Sequence, residues 1–566
     1  MKNIKKLLTI GIAGLLMLCM SISLSACKMN KYSTKTDPSK YLEFELLEDG
    51  TYQVNGFVDL PVLHLVIPST YNNIPVTKIG RKAFMRQRAA WGGIPIAPIE
   101  SVVIEEGITT IEGNAFIECG ANSFILPDSL TYVAGGAFAE NDNYTINYPK
   151  NLEYIGTHAF FGANFTEDII EIDGVELNEG AFSGTNIKKV IFLSDYQELR
   201  EEIFSNCIKL EEVVLPNSLE CIPQYMFYGC VALQNIVFGE NIKEIGNKAF
   251  YSCESLKEVT IGKNIQRVGA FAFSNSGLEK VSFGGEYITL ETSAFNNCKN
   301  LNKLELNDVR INGLAQAFTN SPLNNITLSA NSRYQLLDGA ICEEENEEIT
   351  LLLGRSAFNS FDKIDYIGDY AFAYCIFDEL IIPDNVIKLK PNSFTHAKIE
   401  KLSVSAKEIG TEAFYYATIK SADVFSEVIG VSAFEYVKEL KILHLKNGCK
   451  EIRTNAFCCL FDLEKVYISE TVEKIETAAF IQCHSLKDVY YLKKDTPIVD
   501  LHAGTFIIYI SNIVTEDHRI KATINDDFKI HVNNEIYDEC INLWSDMQAD
   551  NKYIYHKSLK EHIVKE

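Results

Sequence analysis

Residues that break regular structure are scarce in this sequence, and so is clustered positive charge. Its 566 residues include only 33 glycines and 14 prolines, which excludes a collagen-like or low-complexity chain. Hydrophobic residues make up 47% and charged residues 23%, a composition that excludes disorder as the main state. Lys and Arg number 52 against 76 Asp and Glu, for a net charge of −24. Without a basic block, the folded part lacks what nucleic acids and anionic membrane surfaces require.

Signatures of catalysis and of metal binding are also missing. The ten histidines are scattered, and none lies in H-E-x-x-H or near a G-x-S-x-G or P-loop motif. There is no C-x-x-C, and the adjacent Cys458 and Cys459 have no second pair with which to build a tetrahedral site. The acidic run Glu343–Glu348 lacks the alternating ligands and glycine turn of a calcium loop. We interpret it as a solvated hairpin tip rather than a calcium site, and we expect no enzyme activity, cofactor or metal.

Residues 1–27 have the pattern of an export signal. Lys2, Lys5 and Lys6 precede the uncharged apolar stretch Leu7–Ile22, which is shorter than the ~20 residues of a membrane-spanning helix. The tetrad Leu24-Ser25-Ala26-Cys27 follows and resembles the bacterial lipobox. This resemblance implies cleavage before Cys27 and a diacylglycerol on its sulfur. An ordinary signal peptide with a chance cysteine is the alternative.

The chain after the signal is expected to be extracytoplasmic and held to the membrane by lipid alone. Residues 28–40 are polar and without apolar periodicity, which predicts a flexible tether. Loss of the three signal lysines would take the net charge from −24 to −27.

A short motif, Ile-Gly-x-x-Ala-Phe, recurs in whole or in part along the chain. Its phenylalanines are mostly 22 or 23 residues apart, with two gaps of 20 and longer gaps of 32 and 54. This self-similarity predicts a β-rich solenoid of about 17 coils. We expect these phenylalanines to stack as a structural ladder: Phe84, Phe116, Phe138, Phe160, Phe182, Phe204, Phe227, Phe250, Phe273, Phe295, Phe318, Phe372, Phe394, Phe414, Phe434, Phe457 and Phe480.

The coil around Phe250 illustrates the physical basis of the repeat. Leu233–Phe238 alternates enough to predict a short strand, and Ile242 and Ile245 place two more apolar groups inward. Ala249 and Phe250 form a compact turn. One coil cannot bury its own apolar row, so each needs a neighbour on either side.

Seven cysteines occupy one repeat position, three residues after a ladder phenylalanine. Since residues at one position point the same way in every coil, we expect an interior row of buried thiols. Disulfides between adjacent coils are the alternative, because the strand spacing permits them. The seven are Cys119, Cys207, Cys230, Cys253, Cys298, Cys375 and Cys483.

The full pattern, L-x-x-[IV]-x-[ILF] followed by [IV]-x-x-[IV]-G-x-x-A-F-x-x-C-x-x-L, resembles the BspA-type leucine-rich repeats of bacterial surface proteins. The resemblance runs from about Tyr41 to about Asp550. The lead-in Asp49–Val54 also matches this family. Tyr334–Cys342 and Glu348–Leu353 resemble the two strands of a hairpin that interrupts such solenoids.

These features predict an α/β solenoid, that is, a β-rich repeat array with small terminal caps. At its end, Phe528–Val532 predicts a strand, and an apolar stripe from Ile536 predicts a helix. We interpret this end as a terminal cap, with a small ligand-binding module as the alternative. The predicted segments are the signal 1–27, tether 28–40, N-terminal β cap 41–78, repeats 79–330, inserted hairpin 331–362, repeats 363–510 and C-terminal α/β cap 511–566.

The resemblance implies a non-catalytic surface protein that adheres to host or matrix proteins or to other bacteria. Its expected partner is a macromolecular surface ligand, a host or bacterial protein or a glycan, bound by residues that the sequence does not identify. Membrane contact is expected only through lipid on Cys27. An envelope-organising lipoprotein that binds cell-wall components, and a capture lipoprotein for glycans or peptides, are the alternatives.

Overall fold

The chain folds, in a computed structural model, as two compact units, residues 1–188 and 189–566. The predicted signal 1–27 with Cys27, and all but the last residue of the predicted tether 28–40, lie outside the described residues. The structure describes residues 40–58, 64–85, 99–141, 143–330, 332–494, 500–501, 505, 509–514, 520–523, 527–545, 553–555 and 559–566.

Both units are β-solenoids, with about 19 turns in all and very little helix. The predicted fold class is therefore confirmed. The prediction of about 17 coils was low because it counted only turns with a ladder phenylalanine. The strands Lys529–Val532 and Ile563–Lys565 extend the stack without one.

A typical turn contributes one longer and one shorter strand, and these form two separate, mainly parallel sheets, called here the long-strand sheet and the short-strand sheet. In unit 1 the long-strand sheet consists of His64–Ile67, Ser101–Ile104, Ser123–Ile125, Thr145–Ile146 and Asn164–Phe165. The short-strand sheet consists of Leu42–Leu46, Tyr52–Phe57, Ile74–Ile79, Thr110–Ile111, Tyr132–Val133, Tyr154–Ile155 and Glu176–Leu177, with Thr70–Tyr71 paired to the third of these. A further strand is Ile169–Ile172.

Unit 2 repeats this arrangement in two successive stacks. The first has the long strands Lys189–Phe192, Glu212–Val214, Glu258–Ile261, Lys280–Phe283, Lys303–Leu306 and Asn325–Leu328. Its short strands are Cys221–Ile222, Glu244–Ile245, Arg267–Val268, Tyr287–Leu290 and Arg310–Asn312.

The second stack of unit 2 is the larger one. Its long strands are Ile376–Ile382, Lys398–Val404, Thr418–Val424, Ile442–Leu445, Lys465–Ile468, Asp488–Tyr491, Lys529–Val532 and Ile563–Lys565. Its other sheet contains Tyr334–Leu337, Ala340–Glu345, Glu348–Leu353, Tyr366–Ile367, Lys388–Leu389, Glu408–Ile409, Val428–Ile429, Glu451–Ile452, Lys474–Ile475 and Asp500–Leu501.

The remaining elements are few. A small sheet near the end of the chain is formed by Tyr509–Val514, Ile520–Thr523 and Tyr553–Tyr555. Among the described residues, the α-helices are Leu314–Ala317 and Tyr537–Ser545, and the 3₁₀-helices are Phe361–Lys363 and Leu559–His562.

Alternation along each strand separates core from surface. In Lys303–Leu306, Leu304 and Leu306 are fully buried while Lys303 and Glu305 face outward. The two-residue strands follow the same rule, with the second residue buried, as in Glu244–Ile245. The core of each turn therefore lies inside the coil, and the intervening side chains form outward rows.

Two local predictions differ from the structure. Leu233–Phe238 is not a strand, because Asn235 forms only an isolated bridge with Glu212. Leu233 and Ile236 are both buried, and inward residues three positions apart do not fit the two-residue alternation of a strand.

The inserted hairpin has three strands instead of two. The segment Tyr334–Cys342 is divided by a tight turn at Asp338 (φ 46°) and Gly339 (φ 74°). Asp-Gly with both residues at positive φ is the sequence that two-residue hairpin turns favour. A second turn of this kind, at Asn346 and Glu347, lies within the acidic run Glu343–Glu348, whose tip is solvent-exposed.

Candidate interaction surface

The ladder phenylalanines lie inside the turns, where their rings stack on one another. Ring centroids are 5.1 to 5.9 Å apart from Phe84 to Phe182 in unit 1. In unit 2 they are 4.8 to 6.0 Å apart from Phe204 to Phe318. They are 4.7 to 5.1 Å apart in a third series, from Phe372 to Phe480. The inserted hairpin lies between the last two series, so the rings of Phe318 and Phe372 are not stacked neighbours.

Most turns that carry a ladder phenylalanine are closed by left-handed residues on both sides. Around Phe250, Lys248 (φ 52°) and Ser252 (φ 58°) adopt this conformation. The Phe250 N–H donates to the Ala272 carbonyl of the next turn at 2.7 Å. Each turn is thus held to its neighbour by backbone bonds as well as by ring stacking.

The cysteine row is more than apolar filling. Of its seven members six are buried, Cys375 is partly buried, and all are free thiols. Four of them donate S–H to the carbonyl of the phenylalanine one turn back, for example Cys253 to Phe227 at 3.3 Å. Ser321 makes the equivalent bond to Phe295 at 2.7 Å. In these turns the position holds a small donor, whereas in other turns it is filled without one by Ala163, Ala397, Ala417, Val437 and Leu460.

An outward row of aromatic side chains crosses the long-strand sheet of the second stack in unit 2. His444, Tyr467, Tyr490 and His531 pair in register on successive strands. The two tyrosine rings stack at 4.8 Å, and Tyr490 stacks on His531 at 4.4 Å. All four side chains are half-buried, so part of each ring remains open to solvent.

Charged groups flank this aromatic row at both ends. Asp423, in register with His444, lies 3.0 Å from the His444 ring and 3.2 Å from the Lys446 amine. At the other end Asp488 contacts the His531 ring at 2.9 Å. We call the row Asp423, His444, Tyr467, Tyr490 and His531 the strand row. Its aromatic bodies with polar tips are suited to contacting a partner that offers both apolar and hydrogen-bonding groups.

A second aromatic series follows the Ala-Phe turns of the same stack. Tyr374, His396, Tyr416 and Tyr436 occupy the left-handed position two residues after successive ladder phenylalanines. Neighbouring rings stack at 4.9, 5.4 and 4.7 Å. Tyr374 is 45% exposed, so this series also reaches solvent.

Unit 1 has an apolar counterpart on its long-strand sheet. Val66, Val103 and Ile125 pair in register and face outward, with Val66 and Ile125 more than 40% exposed. Branched apolar side chains in a row on an open sheet face provide a further contact surface.

The structure also assembles a group of residues that the sequence analysis dismissed. Glu435, Cys458 and Cys459 place one carboxylate oxygen and two sulfurs within 4.8 Å of one another. The two sulfurs are 3.1 Å apart, and the Cys459 sulfur lies 2.9 Å from the Gln482 amide oxygen. The hydrogen bond from Cys458 lowers the pKa of Cys459. Charge on Cys459 raises the pKa of Tyr436 to about 12.

The sequence signal that could have identified this cluster is the repeat length. Glu435 directly follows ladder residue Phe434, and Cys458 directly follows Phe457, so the two residues occupy the same position in adjacent turns.

Within the described part of the chain, no helix is both long and apolar enough to cross a membrane.

Comparison with known proteins agrees with this architecture. The family model of the BspA type leucine rich repeat region (6 copies) matches residues 96–211, 175–302, 269–339, 355–426 and 407–501. The fold is that of a leucine-rich repeat solenoid. The chain belongs to the BspA-type leucine-rich repeat family.

The chain is also similar to several solved structures. A leucine-rich repeat protein from Bacteroides ovatus is 18% identical, with a TM-score of 0.36 over 91% of this chain and 98% of that one. A leucine rich cell surface protein from Faecalibacterium prausnitzii is 19% identical, with a TM-score of 0.28 over 80% and 94% of the chains. The pneumococcal vaccine antigen PcpA is 16% identical, with a TM-score of 0.28 over 91% and 96%. The comparison with curated proteins finds no match.

Proposed function

We propose that this protein is a non-catalytic adhesion protein, anchored outside the cell by lipid on Cys27, that binds a macromolecular partner through the strand row. The observation that carries the proposal is the in-register row of half-buried aromatic side chains with charged groups at both ends. Repeat solenoids commonly use such regularly spaced side chains as extended binding surfaces.

Physical chemistry favours binding over catalysis at this row. Its members are spaced by the strand repeat, so their contacts can add along the sheet while each remains weak. Aromatic side chains supply contact area at low cost in conformational entropy. The net charge of −24 favours a neutral or basic partner, with affinity that falls as salt rises.

Anchoring follows from the tetrad that ends at Cys27. A signal peptidase of the lipoprotein type would leave this cysteine as the first residue, and the polar segment 28–40 would lift the fold from the lipid. Cells fed a clickable palmitate test this part. The wild-type protein should be labelled and membrane-bound, whereas Cys27→Ala should be neither; equal labelling of both refutes the anchor.

Binding is tested with the full chain, solubilised in detergent and presented to a panel of purified matrix proteins, intact bacterial cells and purified cell wall. The proposal expects saturable, salt-sensitive binding to matrix protein or cells at micromolar concentration or below. Binding to purified wall alone would contradict adhesion and favour an envelope-organising role. Absence of binding to every member of the panel would overturn the proposal outright.

A further inference from the structure

We propose that Glu435, Cys458 and Cys459 form a binding site for a thiophilic divalent cation, Zn²⁺, on the outer side of the Ala-Phe turns in unit 2. The inference is independent of the proposed adhesion function. It rests on the assembly of two sulfurs and one carboxylate oxygen within 4.8 Å of one another by two adjacent turns.

The two cysteines stand outside the packing row, which accounts for seven of the other cysteines. That row lies three residues after a ladder phenylalanine, whereas Cys458 and Cys459 lie one and two residues after Phe457. Leu460 occupies the packing position in this turn and is fully buried. Packing at that position therefore does not account for this pair.

The side chains at these positions in neighbouring turns complete the site. The preceding turn contributes Glu435, and Tyr436 interacts with the Cys459 sulfur. The following turn contributes Gln482, whose amide oxygen lies 2.9 Å from that sulfur. Three successive turns thus direct polar atoms toward one point.

The dimensions suit a tetrahedral ion. Zn²⁺ binds thiolate sulfur at about 2.3 Å and carboxylate oxygen at about 2.0–2.2 Å, which separates neighbouring ligand atoms by about 3.5–3.8 Å. The present sulfur separation of 3.1 Å reaches this value by a small rotation of either side chain. Gln482 or a water molecule would occupy the fourth position. Two thiolates and a carboxylate carry three negative charges, which a divalent ion largely neutralises.

The burial of the ligands also fits a metal site. Cys458 and Cys459 are 6% and 2% exposed, while Glu435 is half-buried. The sulfurs are therefore shielded from bulk solvent, and the carboxylate leaves one side accessible for entry of the ion. A site of this kind would add a link between two turns that backbone hydrogen bonds and the stacked Phe434 and Phe457 rings already join.

The experiment is a titration of the full chain, reduced and in detergent, with Zn²⁺ and with Co²⁺ as a spectroscopic probe. We expect one high-affinity site with a thiolate-to-cobalt charge-transfer band. The double variant Cys458→Ser/Cys459→Ser should lose this site and the band, and Glu435→Gln should weaken affinity by at least about the 10-fold typical of lost metal-site partners.

A matched control comes from the packing row. Cys230→Ser/Cys253→Ser also removes two thiols from adjacent turns, yet it should leave affinity, stoichiometry and the charge-transfer band unchanged. The proposal is overturned if the wild-type chain binds no metal at micromolar concentration, or if the control variant loses binding as fully as Cys458→Ser/Cys459→Ser. Because Glu435 is half-buried and Gln keeps its shape, Glu435→Gln tests the site even where the double variant fails to fold.

Discussion

At the position three residues after a ladder phenylalanine, one side chain can both fill the core and donate a hydrogen bond to the preceding turn. Cys253 is fully buried and donates to the Phe227 carbonyl of the preceding turn at 3.3 Å. Serine makes the same bond elsewhere, as Ser321 does to Phe295. The chain therefore uses cysteine where it needs a small side chain with a donor.

Two substitutions of Cys253 separate its packing from its hydrogen bond. Cys253→Ser keeps the donor and should cost less than about 1 kcal/mol. Cys253→Ala removes the donor and leaves a small void, and should cost about 1–2 kcal/mol. Denaturant unfolding measures both; equal losses would mean that packing alone matters at this position.

On the long-strand sheet, outward charged side chains form local clusters whose hydrogen bonds shift the pKa values of their members. The Glu305 carboxylate contacts Lys303 at 2.7 Å, Lys280 at 3.0 Å and Ser282 at 2.8 Å. These hydrogen bonds, that of Lys303 foremost, lower the pKa of Glu305 from its ordinary value of 4.5 to about 2. The group therefore binds protons less readily in the folded state than in the unfolded chain.

This difference predicts a pH dependence of stability. A lowered folded-state pKa contributes stability that is present above pH 4.5 and disappears as pH falls toward 2. Glu305→Gln should thus be slightly less stable than wild type near pH 7, with the difference vanishing near pH 2. Unfolding curves across this range measure the difference, and a constant gap at every pH would contradict the cluster.

Among the elements, the phenylalanine turn is expected to contribute most to the stability of the fold. Phe250 is fully buried and stacks on Phe227 at 5.2 Å and on Phe273 at 5.0 Å. Phe271, two residues before Phe273 in the next turn, is 38% exposed. The two residues therefore form an internal comparison of a buried and an exposed ring.

Phe250→Ala should cost about 3–5 kcal/mol, as expected when a packed aromatic ring is removed from a core. Phe271→Ala should change stability by no more than about 0.5 kcal/mol. Unfolding in denaturant provides both values. If the two variants lose the same amount, the ladder does not contribute as its burial indicates.

The sequence predicts the turns better than the strands between them. Ala-Phe recurs in most turns and Ile-Gly in some of them, because the turn needs left-handed residues and a ring of fixed size, as at Lys248 and Phe250. The strand sequences tolerate variation, and Leu233–Phe238 shows that an apolar pattern alone does not determine where a strand forms. Likewise, Asp338-Gly339 is a turn signal within a segment that otherwise predicts one continuous strand.

Surface rows and the Glu435–Cys459 cluster depend on register between turns, which is a property of the folded stack. Tyr467 and Tyr490 are 23 residues apart and become neighbours only because their strands pair in parallel. The position of Glu435 relative to Cys458 follows the same 23-residue offset. Once the repeat length of a turn is known, such neighbours can be predicted by adding it to any outward residue.

At the scale of the molecule, repetition supplies both the fold and the surface. The same interval that stacks the ladder phenylalanines also brings the outward side chains of successive strands into register, so a binding face arises without a separate domain. The family shares this design, and the outward residues are what distinguish one solenoid from another.

The most direct test of the account is whether binding depends on the strand row. Tyr467→Ser/Tyr490→Ser changes two rings that stack at 4.8 Å on the long-strand sheet. Tyr132→Ser/Tyr154→Ser is the matched control, since these half-buried rings stack at 4.4 Å on a short-strand sheet. Both variants should first be shown by unfolding curves to be equally folded.

Affinity for the partner identified in the binding panel is then measured for wild type and both variants at two salt concentrations. The account predicts that Tyr467→Ser/Tyr490→Ser weakens binding at least about 10-fold, equivalent to ~1.4 kcal/mol, while the control binds as wild type does. Equal affinity of all three proteins, or a greater loss in the control, would contradict the claim that this face is the binding surface.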